Sequence, residues 1–197
     1  MQIALAMIAA YIIGSINFAV MVGRMHGVDI REEGSGNPGM SNVLRTLGKL
    51  PAGQVMLGDT IKGVAGAYAG FIASASGDPM SPWAFAAGFA AVLGHCYPIF
   101  HKFKGGKGVA TASGVVIFTM PVMAVIVIGG WALLVFLTKT ASVASLIVTA
   151  AAIPLALWQE ISPPALGWFL ATIALVVWRH KTNIMRMVRG SEQKVSR

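Results

Sequence analysis

The stretch Lys102-Phe103-Lys104-Gly105-Gly106-Lys107-Gly108 interleaves three lysines with three glycines and runs directly into an apolar segment that starts at Val109. Lysine supplies charge, and glycine lets a backbone turn its N–H groups toward one point. The start of a helix adds the positive end of its dipole, so the stretch reads as a seat for phosphate or another oxyanion. A merely basic connector would explain the lysines but not the glycines. The stretch is not a Walker A loop. Gly108 follows Lys107 where that loop needs Ser or Thr for magnesium, and His101 occupies the place of its first glycine.

A second stretch has similar backbone freedom: Gly34-Ser35-Gly36-Asn37-Pro38-Gly39-Met40-Ser41-Asn42. After residue 41 it opens a short interfacial helix carrying Val43, Leu44, Arg45 and Thr46. It is either an anion-binding nest or an ordinary turn between helices, and its residues alone fit both. A third stretch, Arg179-His180-Lys181-Thr182-Asn183-Ile184-Met185-Arg186, puts His180 and Asn183 three apart, on one helical face. A lone His among basic residues is commonly a bystander, and its neighbours favour the neutral ring. Asp59 and Lys62, also three apart, lie inside an apolar segment, where ionisable groups are either functional or paired with each other. His95 and His101 end the next segment on the same side.

Several chemistries are missing. The chain has no G-x-S-x-G elbow, no H-E-x-x-H, no carboxylate cluster for magnesium, and no His with Asp four residues on. The lone Cys96 has no partner for a disulfide or a metal site. The remaining groups are backbone N–H, Lys, Arg, Ser35, Asn and His, a set suited to positioning phosphates and stabilising charge more than to covalent catalysis.

The elements that must position these groups are membrane spans. With 56% hydrophobic and 11% charged residues, and a mean hydropathy of +0.72, the chain has too little polar surface to enclose a water-soluble core. Apolar runs predict spans over residues 2–22, 53–74, 83–100, 141–158 and 164–178. The interval from Val109 to Leu137 would reach roughly 43 Å as one helix, against about 30 Å of hydrocarbon, so Pro121 is read as a break between helices 109–119 and 121–137. Every Lys and Arg falls between Arg24 and Lys49, at Lys62, between Lys102 and Lys107, at Lys139, or between Arg179 and Arg197. Seven spans put all of these on the inner side; six would force the last cluster outside.

The fold expected is therefore an all-α integral membrane protein, a seven-helix bundle with the N-terminus out (periplasmic) and the C-terminus in (cytoplasmic). A single domain covers residues 1–197. No positive charge precedes Arg24, so the first segment is expected to be a retained span rather than a cleaved leader. Gly63, Gly66 and Gly70 would let helices pack closely. The net charge of +8 sits beside apolar spans, which favours anionic headgroups and phosphorylated substrates over nucleic acid.

Four motifs in chain order carry a family resemblance. They are Ser35-Gly36-Asn37-Pro38-Gly39; Asp59-x-x-Lys62-Gly63; Gly94-His95-x-x-Pro98 leading to Phe103-Lys104-Gly105-Gly106-Lys107-Gly108-Val109-Ala110-Thr111; and His180-x-x-Asn183-Ile184 with Gly190-x-Glu192. Together they resemble the bacterial acyl-phosphate:glycerol-3-phosphate acyltransferases, the PlsY family, over almost the whole chain. Met40, Ser41 and Lys181 stand where that family usually has Ala, Thr and Arg. The resemblance implies transfer of a fatty acyl group from acyl phosphate to the 1-hydroxyl of sn-glycerol 3-phosphate, giving lysophosphatidic acid and phosphate, in the bacterial inner membrane with the site facing the cytoplasm. It implies no cofactor. The partners implied are the two substrates, membrane lipid, and the enzyme that makes acyl phosphate.

The catalytic residues it implies are Ser35, Lys104, His180 and Asn183. Substrate binding would fall to Gly36, Asn37, Gly39, Asn42, Arg45, Asp59, Lys62, His95, Gly105, Gly106, Lys107, Gly108, Thr111 and Glu192. The rival reading is a membrane carrier for a phosphorylated solute, which would place its polar groups near the bilayer midplane in paired broken helices. The chain offers one broken region, and almost all its ionisable groups lie at the inner edge.

Overall fold

Apolar sequence with almost no charge leaves helices as the way to satisfy the backbone away from water, and the described residues, 1–195, contain ten α-helices and no strand in the computed structural model. They are α1 (Gln2–Gly14), α2 (Phe18–Met25), α3 (Met40–Leu47), α4 (Lys49–Ser74), α5 (Pro82–Cys96), α6 (Val109–Thr119), α7 (Pro121–Thr138), α8 (Ala141–Trp158), α9 (Pro163–Arg179) and α10 (Lys181–Val188). Arg197, counted in the last basic cluster, lies outside the described residues.

Local chemistry fixes the boundaries. Ser81 caps α5, its Oγ accepting from the Ala84 N–H at 3.3 Å, and Pro82 follows at the first helical position. Pro121 and Pro163 open α7 and α9 in the same way. The expected break near Pro121 is present: Met120 leaves helical geometry and α6 and α7 are separate helices. The single span expected over residues 2–22 is not continuous. It is interrupted at Ser15-Ile16-Asn17, where Asn17 recaps the chain by accepting from the Val20 N–H at 3.1 Å. The helix expected from residue 53 starts at Lys49, because Gly48 supplies the non-helical turn before it.

Four stretches are long and apolar enough to cross a membrane: Gln2–Met25, Pro82–His101, Pro121–Thr138 and Ala141–Trp158. With α6 and α9 as shorter apolar helices, they make this an integral membrane protein. The axial helix α4 packs against α1, α5 and α6, with α2 and α3 along its first half. Glycine makes these approaches possible. A Cβ on Gly63 would strike the Thr111 carbonyl and one on Gly114 the Thr60 carbonyl, so α4 and α6 touch backbone to backbone. Gly70 meets the Trp83 carbonyl on α5, and Gly14 and Gly94 bring α1 and α5 together.

One apolar core, including Phe85, Val92, Cys96, Val115, Met120 and Phe169, joins α5 through α9. A second, with Val20, Ile30, Val43 and Val55, holds α2, α3 and α4. Of α7, only Met123 and Ala124 are buried, so it forms an outer wall.

Candidate active site

A cavity of about 350 Å³ lies where the two glycine stretches meet. Its polar end is lined by Ser35, Asn37, Arg45, Lys107, His180 and Asn183; its apolar end runs between α6, α7 and α8 past Ile117, Val127, Trp131 and Val148. A second cavity, about 290 Å³, opens beside it and is strongly basic, with Arg179, Lys181, Arg186 and Lys107 on its walls. Ser35, Asn37, Lys107 and Arg186 line both cavities.

The loop before α3 is shaped by Asn42. Its Nδ2 donates to the Ile30 and Glu33 carbonyls at 3.0 and 2.9 Å, and its Oδ1 accepts from the Ser35 N–H at 2.9 Å. Asn42 thus spends its polar groups on backbone and builds the loop that carries Ser35. Gly36 turns in the left-handed region at φ +69°, and Gly39 gives α3 its N-cap. Arg45, one turn into α3, reaches Ser35 Oγ at 3.4 Å, while its Nε is buried without a partner among the described residues. A buried guanidinium N–H that is free to donate suits an anionic ligand.

The lysine loop separates its members. Lys104 is exposed and lines neither cavity; Lys107, next to the first turn of α6, lines both. Burial lowers the Lys107 ammonium to about 8, aided by Arg186, Arg45 and Arg179 and opposed by Glu192. Gly108 precedes α6 at φ +86°, a conformation that only glycine adopts without strain. Gly105 and Gly106 fit against α5, where Cβ atoms would strike the His95 carbonyl and ring.

His180 ends α9 and starts α10, and the ring is 2% exposed. Its Nδ1 lies 2.7 Å from the Val176 carbonyl, which can only accept, so that nitrogen carries the proton of the neutral ring. Burial pushes its pKa down to about 4, and Lys107 and Arg179 push the same way. Asn183 donates to Glu192 Oε1 at 2.6 Å and keeps a buried Oδ1 that has no partner among the described residues. Glu192 also accepts from Ser142 Oγ at 2.8 Å and from Arg186 Nε at 2.9 Å, tying the tail to α8 and α10.

Asp59 and His95 reach the larger cavity's wall, and Lys62 does not. Lys62 Nζ sits 2.8 Å from Asp59 Oδ1 and donates to the Ile16 carbonyl, left open by the break before α2, at 2.8 Å. His95 Nδ1 stands 3.4 Å from the same carboxylate oxygen. Thr111 is fully buried at the α4–α6 crossing, its hydroxyl without a partner among the described residues, and lines neither cavity. Ser142, Arg179 and Arg186 join the site without having been singled out as site residues from sequence. Arg186 carried a signal, lying three residues after Asn183 on the same helix; Ser142, at the start of an apolar helix, carried none.

Among the described residues no group of three or more His, Cys, Asp or Glu is arranged to hold a metal. Fold and site together define a helical membrane protein with a strongly basic site beside an apolar groove. The sequence profile described as glycerol-3-phosphate acyltransferase matches residues 4–190, and the chain belongs to that family of acyltransferases. A glycerol-3-phosphate acyltransferase of Pseudomonas fluorescens is 42% identical over 187 residues, covering 94% of this chain and 96% of the relative. One of Rubrobacter xylanophilus is 40% identical, covering 96% and 94%. The crystal structure of PlsY, an integral membrane glycerol 3-phosphate acyltransferase, in its glycerol 3-phosphate form superposes with a TM-score of 0.90 at 36% identity, covering 98% of this chain and 96% of that one. Its lysophosphatidic acid form gives 0.89 at 35% identity.

Proposed function

We propose that this chain transfers a fatty acyl group from acyl phosphate to the 1-hydroxyl of sn-glycerol 3-phosphate, releasing lysophosphatidic acid and phosphate. The observation that carries the reading is the junction of two cavities of opposite character at Ser35, Asn37, Lys107 and Arg186. A lipid donor needs an apolar groove ending in a phosphate seat; a water-soluble phosphorylated acceptor needs a basic opening. The two must meet at the reacting carbonyl.

In this reading the acyl chain lies between α6, α7 and α8, and the donor phosphate rests on the N–H groups of residues 107–108, the first turn of α6 and the Ser35 loop. Arg45 and Asn183, with Lys181 and Arg186 on the wall of the basic cavity, hold glycerol 3-phosphate. The acceptor oxygen attacks the acyl carbon, the bond from that carbon to the phosphate oxygen breaks, and phosphate leaves. The proton goes to an oxygen of the departing phosphate. His180 is too weak a base for that step, but the acceptor nitrogen of its neutral ring can orient the hydroxyl. Charge neutralisation by Lys107, Arg186 and backbone N–H groups supplies the remaining stabilisation. Acyl phosphate implies a separate enzyme that makes it.

We extend the proposal to topology: one domain, seven crossings counting α1 with α2 as a broken first one, N-terminus outside, and the site on the cytoplasmic face of a bacterial plasma membrane. The tail supports this, since the Val195 N–H donates to the Lys139 carbonyl and Arg179 to the 105–106 carbonyls, gathering the basic stretches at one end. Family membership does not favour the carrier alternative. Purified protein given palmitoyl phosphate should release phosphate and form lysophosphatidic acid only when glycerol 3-phosphate is added. Release without acceptor, or without the acylated product, would overturn the reading.

A further inference from the structure

We propose that Arg179 is a positioning residue for the phosphate seat: its guanidinium holds two successive peptide units of the glycine loop by their carbonyls, the first of them also pinned to α5 through its N–H, and so turns the N–H of the second, that of Lys107, away from itself and toward the anion. The inference rests on the acyl-transfer reading above.

The geometry is specific. Arg179 donates from one terminal nitrogen to the Gly105 carbonyl at 2.7 Å and from Nε to the Gly106 carbonyl at 3.0 Å. The guanidinium carbon lies 4.9 Å from the centre of the Tyr97 ring, which fixes its plane. In a trans peptide unit the C=O and the next N–H point in opposite directions. The unit joining Gly105 to Gly106 is accordingly held at both ends, its carbonyl on Arg179 and its N–H on the His95 carbonyl at 3.1 Å. The unit joining Gly106 to Lys107 is held by its carbonyl alone, so the Lys107 N–H faces away from the guanidinium. Among the described residues neither Lys107 N–H nor Gly108 N–H has an acceptor, and both residues line the larger cavity.

Without Arg179 the Gly105–Gly106 unit would keep its N–H bond to the His95 carbonyl, but the Gly106 carbonyl would be free to rotate and could turn its negative end toward the phosphate. A planar fork satisfies both carbonyls at once. Lysine, a single-point cation, reaches one and lets the other go. Glycines that give the loop its freedom also make it floppy, and the clamp removes that freedom where it would harm binding.

The test uses the full-length protein in detergent. Arg179→Lys keeps the charge and loses the fork. It should raise KM for palmitoyl phosphate about tenfold to a hundredfold, the loss expected for one charge-assisted hydrogen bond, and leave kcat and KM for glycerol 3-phosphate within about threefold. Inorganic phosphate, added with saturating glycerol 3-phosphate, should raise the Tm of the unsubstituted protein and not that of Arg179→Lys. If KM for glycerol 3-phosphate rises while that of the donor stays put, Arg179 touches the acceptor directly and the inference is wrong. It is equally wrong if both constants rise alike or neither moves. Should Arg179→Lys fail to fold, Tyr97→Leu removes the platform and should raise donor KM in the same direction, whereas Tyr97→Phe should not; equal behaviour of the two would overturn the clamp. If the unsubstituted protein makes no lysophosphatidic acid, the functional reading fails, and the phosphate Tm shift still decides the seat.

Discussion

Arg45 carries its information in what it lacks. A buried guanidinium with an idle Nε is costly unless a ligand completes it, so Arg45→Lys, which preserves charge and loses the planar donors, should raise KM for glycerol 3-phosphate by about tenfold or more. Steady-state kinetics with the acceptor varied checks this, and an unchanged KM would remove Arg45 from the acceptor site. His180 gives a prediction in pH. Its folded pKa of about 4 lies below the ordinary 6.5, so an unfolded chain takes up a proton near 6.5 that the folded one refuses. Its contribution to stability is therefore whole above 6.5 and is lost as pH falls toward 4. Melting temperature should drop across that window, and His180→Asn should flatten that part of the curve. At this scale the sequence marks the stretches that supply residues to the cavities but does not separate their members. Lys104 and Lys107 are indistinguishable by composition; the turn after α5, with Lys102 and Phe103 both at positive φ, precedes an exposed Lys104, while Lys107 sits against α6. The role of Arg179 within its basic stretch leaves no mark for another reason: its partners are main-chain carbonyls, which every sequence has.

Helix-to-helix distance is where the glycines matter. Gly63 and Gly114 press α4 against α6 so closely that each faces a backbone carbonyl on the other helix. Gly114→Val must push the pair apart, which should cost on the order of 1–3 kcal/mol and carry the start of α6 away from the Ser35 loop. A lower Tm together with a raised donor KM is the expected result; an unchanged Tm would mean the crossing is looser than the backbone contact implies. Apolar runs and prolines made most element boundaries legible, including the separation of α6 from α7. The interruption at Ser15-Ile16-Asn17 escaped because no proline marks it. It is held open by a distant group, Lys62, whose amine meets the Ile16 carbonyl, and a contact 46 residues away in sequence leaves no local trace.

Across the whole molecule, the proposed orientation makes the tail and the loop at residues 75–81 lie on opposite sides of the membrane. In a Cys96→Ala background, Ser76→Cys should react with an impermeant maleimide on intact cells, and Ser191→Cys only after lysis; the reverse pattern would invert the topology. Cys96 is buried, so its replacement by Ala should be tolerated. The axial helix α4 has a consequence for biogenesis. It runs 26 residues, yet it is absent from the four stretches apolar enough to cross alone, and it holds Asp59 and Lys62 one turn apart. Such a segment leaving the translocon by itself would face lipid with a charge pair and a row of glycines. In the proposed topology it becomes a membrane helix only in the company of α1 and α5, so insertion here is a cooperative act of neighbours, and the helix on which α1, α5 and α6 all pack is poorly suited to enter the bilayer unaided.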